Sequence, residues 1–364
     1  MLKFYCKLLF NLIGLAVLLA TSLPAGAQTP EPPGLALGFH LAKGDSQHFE
    51  AARAAGAKFV VVVFNWANIE PEPGYHYWTE PDAALAAAEY YGLDVIARLD
   101  QPPDWAIQPG QTLPFNAAAY AAFAGSVAQR YGPRLAGMIL WNEPNLNVDW
   151  NNQPPNAAAY AELLKPAYAA VKAIDPDLPV ALAAPASTEG EGDWAINDLD
   201  YLQALYAAGI KDYFDVLTAH PYGFGRPPVD APEKYRPNFR RLELYRQIMA
   251  ANGDAAKPVW VTEAGWLVAA NNPTSEWQLV SPETQADYTL AAIDYAQSHY
   301  PWLERLALWQ LNAQGDDYGF NLWNGPAAAS PAYRALVASC PNRSNLCDST
   351  TPATPVGLIR SPLF

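Results

Sequence analysis

The chain has 364 residues, of which 51% are hydrophobic and only 16% charged, a balance that builds a packed core rather than a disordered segment. Its formal net charge is -14, with no cluster of Lys or Arg, so the chain is not made to clamp nucleic acid or an anionic membrane surface. Aromatic residues reach 12%, with 12 Trp and 20 Tyr, enough to fill a core and still leave flat apolar rings at the surface.

The chain opens with Lys3 and Lys7, an apolar run from Leu8 to Ala20, and the small-residue site Ala25-Gly26-Ala27. That order is the form of an export signal over residues 1–27, cleaved after Ala27, and it places the mature protein outside the cell or in the cell envelope. The alternative, an uncleaved anchor, is disfavoured because the run is shorter than the roughly 20 residues that span a bilayer. Residues 28–34 form a Pro-rich leader, residues 35–340 read as one domain, and residues 341–364 as a polar tail rich in Ser, Thr and Pro. Past residue 27 only Cys340 and Cys347 remain, and in an oxidising compartment that even count suggests one short disulfide, with two exposed thiols as the alternative. Five His and two Cys form no metal-ligand spacing, so neither a metal nor a cofactor is expected. A monomer is the default.

The domain alternates between two textures. Short apolar runs at Leu35–Phe39, Phe59–Phe64, Leu93–Leu99, Met138–Trp141, Val180–Ala184, Phe214–Ala219, Val259–Thr262 and Leu306–Leu311 fit strands buried on both faces, as a parallel sheet requires. Ala-rich amphipathic stretches lie between them, at 46–56, 80–91, 116–131, 156–174, 197–208, 235–252, 281–299 and 330–338. Asn116 and Asn156 stand as N-caps, and Ser281-Pro282 puts a cap before a Pro at the first helical position. Eight strand-then-helix units in one α/β domain predict a (β/α)8 TIM barrel. The competing doubly wound sheet lacks support, because no Gly-rich phosphate loop follows the first strand.

In such a barrel, function gathers where the strands end. The first strand ends at Gly38-Phe39-His40, and the second at Asn65-Trp66, followed by Glu70-Pro71 and Pro73-Gly74. Arg98, Asp100 and Trp105 follow the third, and Trp141-Asn142-Glu143-Pro144-Asn145 the fourth. The sixth gives His220-Pro221-Tyr222, the seventh Thr262-Glu263-Ala264-Gly265-Trp266, and the eighth Trp309-Gln310. A carboxylate directly after a buried apolar run is unfavourable unless it is paired, hydrogen-bonded or facing solvent. Glu143 and Glu263 would face each other across the barrel mouth. Two carboxyls flanking one bond are what glycoside hydrolysis needs: one protonated to assist the leaving oxygen, the other ionised to attack or to activate water. Mutual repulsion and burial let one site hold both forms.

At these positions the chain resembles the clan of retaining (β/α)8 glycoside hydrolases that includes families 5 and 39. The resemblance runs from His40 to Trp309 and is most specific at Trp-Asn-Glu-Pro-Asn (141–145) and Thr-Glu-Ala-Gly-Trp (262–266). It implies Glu143 as acid/base and Glu263 as nucleophile, with carboxyls about 5–5.5 Å apart; a separation near 9 Å would mean inversion instead. It further implies that Asn142 bonds the sugar 2-hydroxyl, that His220 and Tyr222 line the cleaved-sugar subsite, and that Trp309 is its stacking floor, with His40 beside it. Trp266, closing its motif, joins the substrate-side set. The expected partner is a β-linked oligo- or polysaccharide.

One departure stands out: many clan members carry an Arg near the end of the second strand, where this chain has Asn65 and Trp66. That leans toward family 39 or a related branch. Arg98 on the third strand either takes the role or forms a structural ion pair with Asp100, the second being the expectation. Glu70 is read as fixing the following Pro-Gly turn. Trp105, Trp150 and Trp194 are either outer sugar platforms or packing residues. Two rival functions use the same residues: a transglycosylase, and a catalytically silent carbohydrate-binding barrel.

Overall fold

The computed structural model describes residues 34–41, 44–190, 192–269, 277–312 and 315–340. The expected export signal, the leader up to residue 33, the tail and Cys347 lie outside the described residues. Cys340 is disulfide-bonded.

Eight parallel strands close into a barrel in sequence order: β1 (Ala36–Leu41), β2 (Phe59–Asn65), β3 (Asp94–Asp100), β4 (Gly137–Leu140), β5 (Val180–Leu182), β6 (Val216–Ala219), β7 (Val259–Val261) and β8 (Leu303–Leu308), with β8 paired back onto β1. The helices that cover them are α1 (Ser46–Ala54), α2 (Thr79–Tyr91), α3 (Ala117–Tyr131), α4 (Ala157–Ile174), α5 (Asp198–Ala207), α6 (Leu242–Ala251), α7 (Pro282–His299) and α8 (Pro331–Ser339). This is the expected (β/α)8 barrel. Among the described residues no helix is long and apolar enough to cross a membrane.

The caps read from sequence are in place. Asn116, Asn156 and Ser281 each accept a hydrogen bond from the backbone N–H three residues on, satisfying one orphan donor of α3, α4 and α7. The helix expected over 235–252 is shorter, because Pro237 cannot continue a helical hydrogen-bond ladder. A single tight turn at Phe239–Arg241 precedes α6 instead, pinned by a fully buried ion pair from Arg241 to Asp198 at 2.6 Å.

Side chains of a strand alternate faces, so one residue in two points into the barrel. Phe59, Val61, Ile96, Ile139, Ala181, Val216, Trp260 and Ala307 form the closed apolar plug. Large and small residues interlock there: a Cβ on Gly38 of β1 would lie 2.5 Å from the Phe59 ring, so β1 yields its share of the interior to β2. The same alternation carries polar groups to the mouth. Ile96, Arg98 and Asp100 share one face of β3, and Gly38 and His40 one face of β1. Val216 and Thr218 share a face of β6, and His220 follows at the next step of two. Above an apolar floor, the barrel's upper end is polar.

Candidate active site

The β4 end is conformationally forced. Trp141 and Glu143 both take positive φ, 90° and 33°, a region that non-glycine residues occupy at about 1–3 kcal/mol each. Packing holds them there. The Trp141 ring is buried against Phe115, Tyr120 and Trp150, and its Nε1 donates to the Asp149 carbonyl at 3.0 Å. Asn145, fully buried, donates to the Ala186 and Ile196 carbonyls and accepts from the Ala186 N–H, clamping the loop after β5 to the loop after β4. The last residue of the motif is therefore a brace, while the residues between face a pocket.

That pocket, about 410 Å³, is lined by Asn142, Glu143, Tyr222, Glu263 and Trp309, and also by Arg98, Ser187, Phe224, Gln278 and Phe320. One oxygen from Glu143, one from Glu263 and one ring nitrogen of His220 all lie within 4.8 Å of one another. The two carboxyls that sequence placed on opposite strands thus meet. Their surroundings differ. Glu263 has a side chain only 5% exposed, and it accepts hydrogen bonds from Arg98 Nη1 at 2.5 Å and from the Tyr222 hydroxyl at 2.6 Å. Glu143 is more open, at 17%, and its Oε1 lies 2.7 Å from His220 Nδ1. The other His220 nitrogen meets Thr262 Oγ1 at 3.0 Å, and Nδ1 is also 3.5 Å from Glu263.

Burial raises the proton affinity of Glu263 above the ordinary carboxylate range, with His220, Arg98 and the Tyr222 hydroxyl pulling the other way and Glu143 adding to the rise. Burial also lowers His220 to about 4, so its imidazole is neutral at neutral pH. The buried Arg98 stays charged, held up by Asp100 and Glu263. Arg98 Nε lies 2.8 Å from Asp100. The expected structural pair with Asp100 is present, and the same guanidinium also reaches Glu263.

His40 lies beside Trp309 as expected, but neither it nor Trp266 lines the pocket. His40 is 1% exposed and packs behind Trp309, ring centroids 4.5 Å apart, with Nε2 3.9 Å from Glu263. It is a neighbour of the nucleophile candidate rather than part of the pocket wall. Trp266 is also 1% exposed, lies against Phe239 and Tyr288, and donates its Nε1 to the Arg226 carbonyl. A Cβ on Gly223 would sit 2.0 Å from this ring, so the indole is wedged beneath the loop after β6. Of the three outer tryptophans, Trp150 is fully buried and Trp105 packs on Trp66, while Trp194 stays 44% exposed. Glu70 behaves as expected, accepting from Trp66 Nε1 and the Gly74 N–H, both at 2.7 Å.

Phe224, Gln278, Ser187 and Phe320 were not singled out in the sequence. Each sits on a loop well past its strand, where no apolar run marks the site. Among the described residues, Glu143, His220 and Glu263 are also the one group near enough together to hold a metal ion. Arg98 already places a fixed cation on Glu263, and its charge opposes a second one there.

No protein-family model matches the chain, and no curated protein matches it by sequence. Solved structures share its fold. A family 39 glycoside hydrolase from Bacteroides cellulosilyticus aligns with TM-score 0.64 at 24% identity, covering 86% of this chain and 65% of that one. An endo-β-1,4-glucanase triple mutant from Xanthomonas axonopodis pv. citri aligns at 0.59 and 17% identity, over 84% of this chain and 98% of that one. An exo-β-1,4-mannosidase from an Opitutaceae bacterium aligns at 0.58 and 16% identity, over 84% and 58%. The chain therefore spans just under two thirds of the family 39 structure, and what is shared at these identities is the barrel.

Proposed function

We propose that the chain is a secreted retaining β-glycoside hydrolase, in which Glu263 attacks the anomeric carbon and Glu143 serves first as acid and then as base. The observation that carries this is the meeting of Glu143 and Glu263 within 4.8 Å in two unlike settings on one pocket. Oxygens this near each other favour the close-set carboxyls of a retaining enzyme over the wider pair, about 6.5–9.5 Å apart, of an inverting one. The roles follow from the partners. Arg98 and the Tyr222 hydroxyl both donate to Glu263, and donors stabilise an anion. Glu143 faces a neutral imidazole that serves it in either state. Protonated, Glu143 donates to His220 Nδ1 while Nε2–H donates to Thr262. Deprotonated, it accepts from Nδ1–H of the other tautomer. The neighbours whose fold it shares include a family 39 glycoside hydrolase, a glucanase and a mannosidase, which supports the same reading.

In the first step Glu263 displaces the leaving group while Glu143 protonates the departing oxygen. In the second, Glu143 takes a proton from water, which releases the sugar with its configuration retained. Trp309 and Phe320 offer apolar faces to the ring, and Asn142 a polar contact. The substrate class is neutral. Arg98 is the only cation lining the pocket among the described residues, and two carboxylates already engage it, so a uronic acid would find no free positive partner. Secretion rests on the leader sequence and agrees with the bonded Cys340. The test is a panel of aryl β-glycosides and β-linked polysaccharides, followed by proton NMR of the first-formed anomer. A β-product supports retention, an α-product overturns it, and no turnover by the wild type removes the hydrolase reading.

A further inference from the structure

The loop after β2 carries two aromatic rings that the catalytic pocket does not use. Tyr75 and Tyr77 are each more than half exposed. His76 and Trp78, which alternate with them, are partly buried and stack on each other, centroids 4.9 Å apart at 13°. Arg130 lies 5.5 Å from the Trp78 ring, and Tyr131 meets that ring edge-on. The backbone is pinned as well. Tyr75 N–H donates to the Glu72 carbonyl at 3.0 Å and Tyr77 N–H to the Ile69 carbonyl at 2.7 Å. The Glu70 side chain closes the turn between them, accepting from Trp66 Nε1 and the Gly74 N–H. Two anchored rings thus hold two outward ones, Tyr75 and Tyr77, edge to face with centroids 4.9 Å apart. Beside Tyr77 a groove of about 560 Å³ separates the helical turn Trp66–Ile69 from the start of α2. Ile69 and Pro71 give it apolar surface, the exposed Asn68, Thr79 and Glu80 give it polar side chains, and no Lys or Arg lines it among the described residues.

We propose that Tyr75, Tyr77 and this groove form a second carbohydrate site, which holds a neutral polysaccharide chain away from the catalytic pocket. The proposal rests on the hydrolase reading for the choice of polymer and not for the existence of the site. A sugar ring has an apolar C–H face and a rim of hydroxyls. The face suits a flat aromatic ring, and the rim suits amide, hydroxyl and carboxylate partners such as Asn68, Thr79 and Glu80. Rings already fixed in place lose little freedom on binding, which favours Tyr75 and Tyr77 as a platform. Glu80 in the groove and Glu72 beside Tyr75 repel an anionic polymer, so the chain is uncharged. A stable protein interface engages about 20–30 residues a side, whereas this patch offers two rings and one groove. The loop also leaves the barrel at the strand ends, as the loops around the pocket do. A chain long enough to touch both places is bound at two points, and the second contact keeps it concentrated at the first. A short substrate gains nothing from it.

The test takes Glu143→Gln, which leaves a bound chain uncut, as the parent. It is compared with the same protein carrying Tyr75→Ala and Tyr77→Ala, by electrophoresis through gels containing mixed-linkage β-glucan, xylan or galactomannan. The parent is expected to be slowed in at least one gel, and the Ala pair to weaken that binding about three- to tenfold in Kd. Tyr75→Phe with Tyr77→Phe keeps the rings and most of the retardation. With Glu143 intact, the Ala pair raises the apparent KM for the same polymer by that factor and leaves kcat/KM for an aryl β-glycoside within about twofold of wild type. The unfolding midpoint does not move, because both rings lie outside the core. Retardation unchanged by the Ala pair, a parent slowed in none of the gels, or an equal rise in KM for the aryl glycoside overturns the inference. A parent that sediments as a dimer and an Ala pair that sediments as a monomer also overturns it, making the patch a contact between copies. A wild type that turns over no glycoside, yet is slowed through these tyrosines, keeps the site and overturns the hydrolase reading instead.

Discussion

Arg98 Nη1 stands 2.5 Å from Glu263 Oε1, although Arg98 belongs to β3 and Glu263 follows β7. The guanidinium spans the mouth to reach it, holding Asp100 with Nε on its near side. Among the described residues, Arg98 is thus the one permanently charged group paired with Glu263, the proposed nucleophile. Replacing it with Met leaves two buried carboxyls without a counter-ion, a change that typically costs about 3–5 kcal/mol. We expect Arg98→Met to unfold at lower temperature and to lose at least about 100-fold in kcat/KM at neutral pH, as protonated Glu263 cannot attack. Arg98→Lys, with charge but no fork, should fall between. Calorimetry and initial rates check both, and wild-type kcat/KM in Arg98→Met would show that Glu263 does not need it.

The pH profile has a defined sign at its acid end. In the proposed mechanism Glu263 attacks as the carboxylate, and burial raises its proton affinity against the opposing His220, Arg98 and Tyr222. The acid limb of kcat/KM therefore lies above the usual Glu range and not below it. Removing a donor to the anion moves it further up, so Tyr222→Phe shifts the limb to higher pH. A hydrogen bond to a charged group is worth about 1.5–3 kcal/mol, so kcat/KM should drop roughly 10- to 100-fold at pH 6. His220, at about 4, does not titrate in this window. A limb that stays put in Tyr222→Phe would assign it to another group.

Trp266 separates packing from binding. Its ring is buried among Phe239, Tyr288 and the loop at Gly223, so Trp266→Phe leaves a gap and an unmet Arg226 carbonyl. The expected loss is about 2 kcal/mol in unfolding free energy, with KM unchanged. A raised KM at full stability would return Trp266 to the sugar-binding set.

The barrel was legible because parallel strands are covered on both faces, so β2 reads as Phe-Val-Val-Val-Val-Phe with no polar interruption. Glu143 and Glu263 were legible for the complementary reason: a carboxylate ending such a run has no cheap structural explanation. Register across the barrel was not. That Arg98 and Asp100 point inward follows only once Ile96 is placed in the plug, and sequence alone leaves β3 free to turn either face. His40 and Trp266 stand beside the right motifs yet pack behind the pocket, since nearness in sequence does not fix which side of a loop a ring takes. Asp149 lay within sight of the motif, but only the turn at Val148–Trp150 aims it back toward Asn142.

Phe224 lines the pocket and stacks on Trp277, centroids 5.5 Å apart at 12°, while Trp277 itself is 65% exposed. The pair extends an apolar face from the pocket outward, where a second sugar of an oligosaccharide would lie. Trp277→Ala should raise KM for oligosaccharides about three- to tenfold, the value of about 0.5–1.5 kcal/mol for a ring-stacking contact, and leave a small aryl glycoside unaffected. Equal effects on both substrates would confine the platform to the first subsite.

The two carboxyls can be told apart by the stereochemistry of chemical rescue. In Glu143→Ala, a dinitrophenyl β-glycoside still reacts with Glu263, because that leaving group departs without a proton, and the glycosyl-enzyme then waits for a base that is gone. Azide needs no deprotonation and fits the space of the missing side chain, so it attacks on the face Glu143 occupied and gives a β-glycosyl azide. In Glu263→Ala the space opens on the other face, azide takes the nucleophile's place, and one inversion yields the α-glycosyl azide. One oxygen of each carboxyl lies within 4.8 Å of one of the other on the same pocket, so the face of attack is a direct readout of which group does which. Hydrolysis without azide should fall by at least about 10³-fold in each variant, the scale on which removing a nucleophile or its base acts. An α-azide from Glu143→Ala, or a β-azide from Glu263→Ala, would exchange the two assignments while leaving the double-displacement chemistry intact.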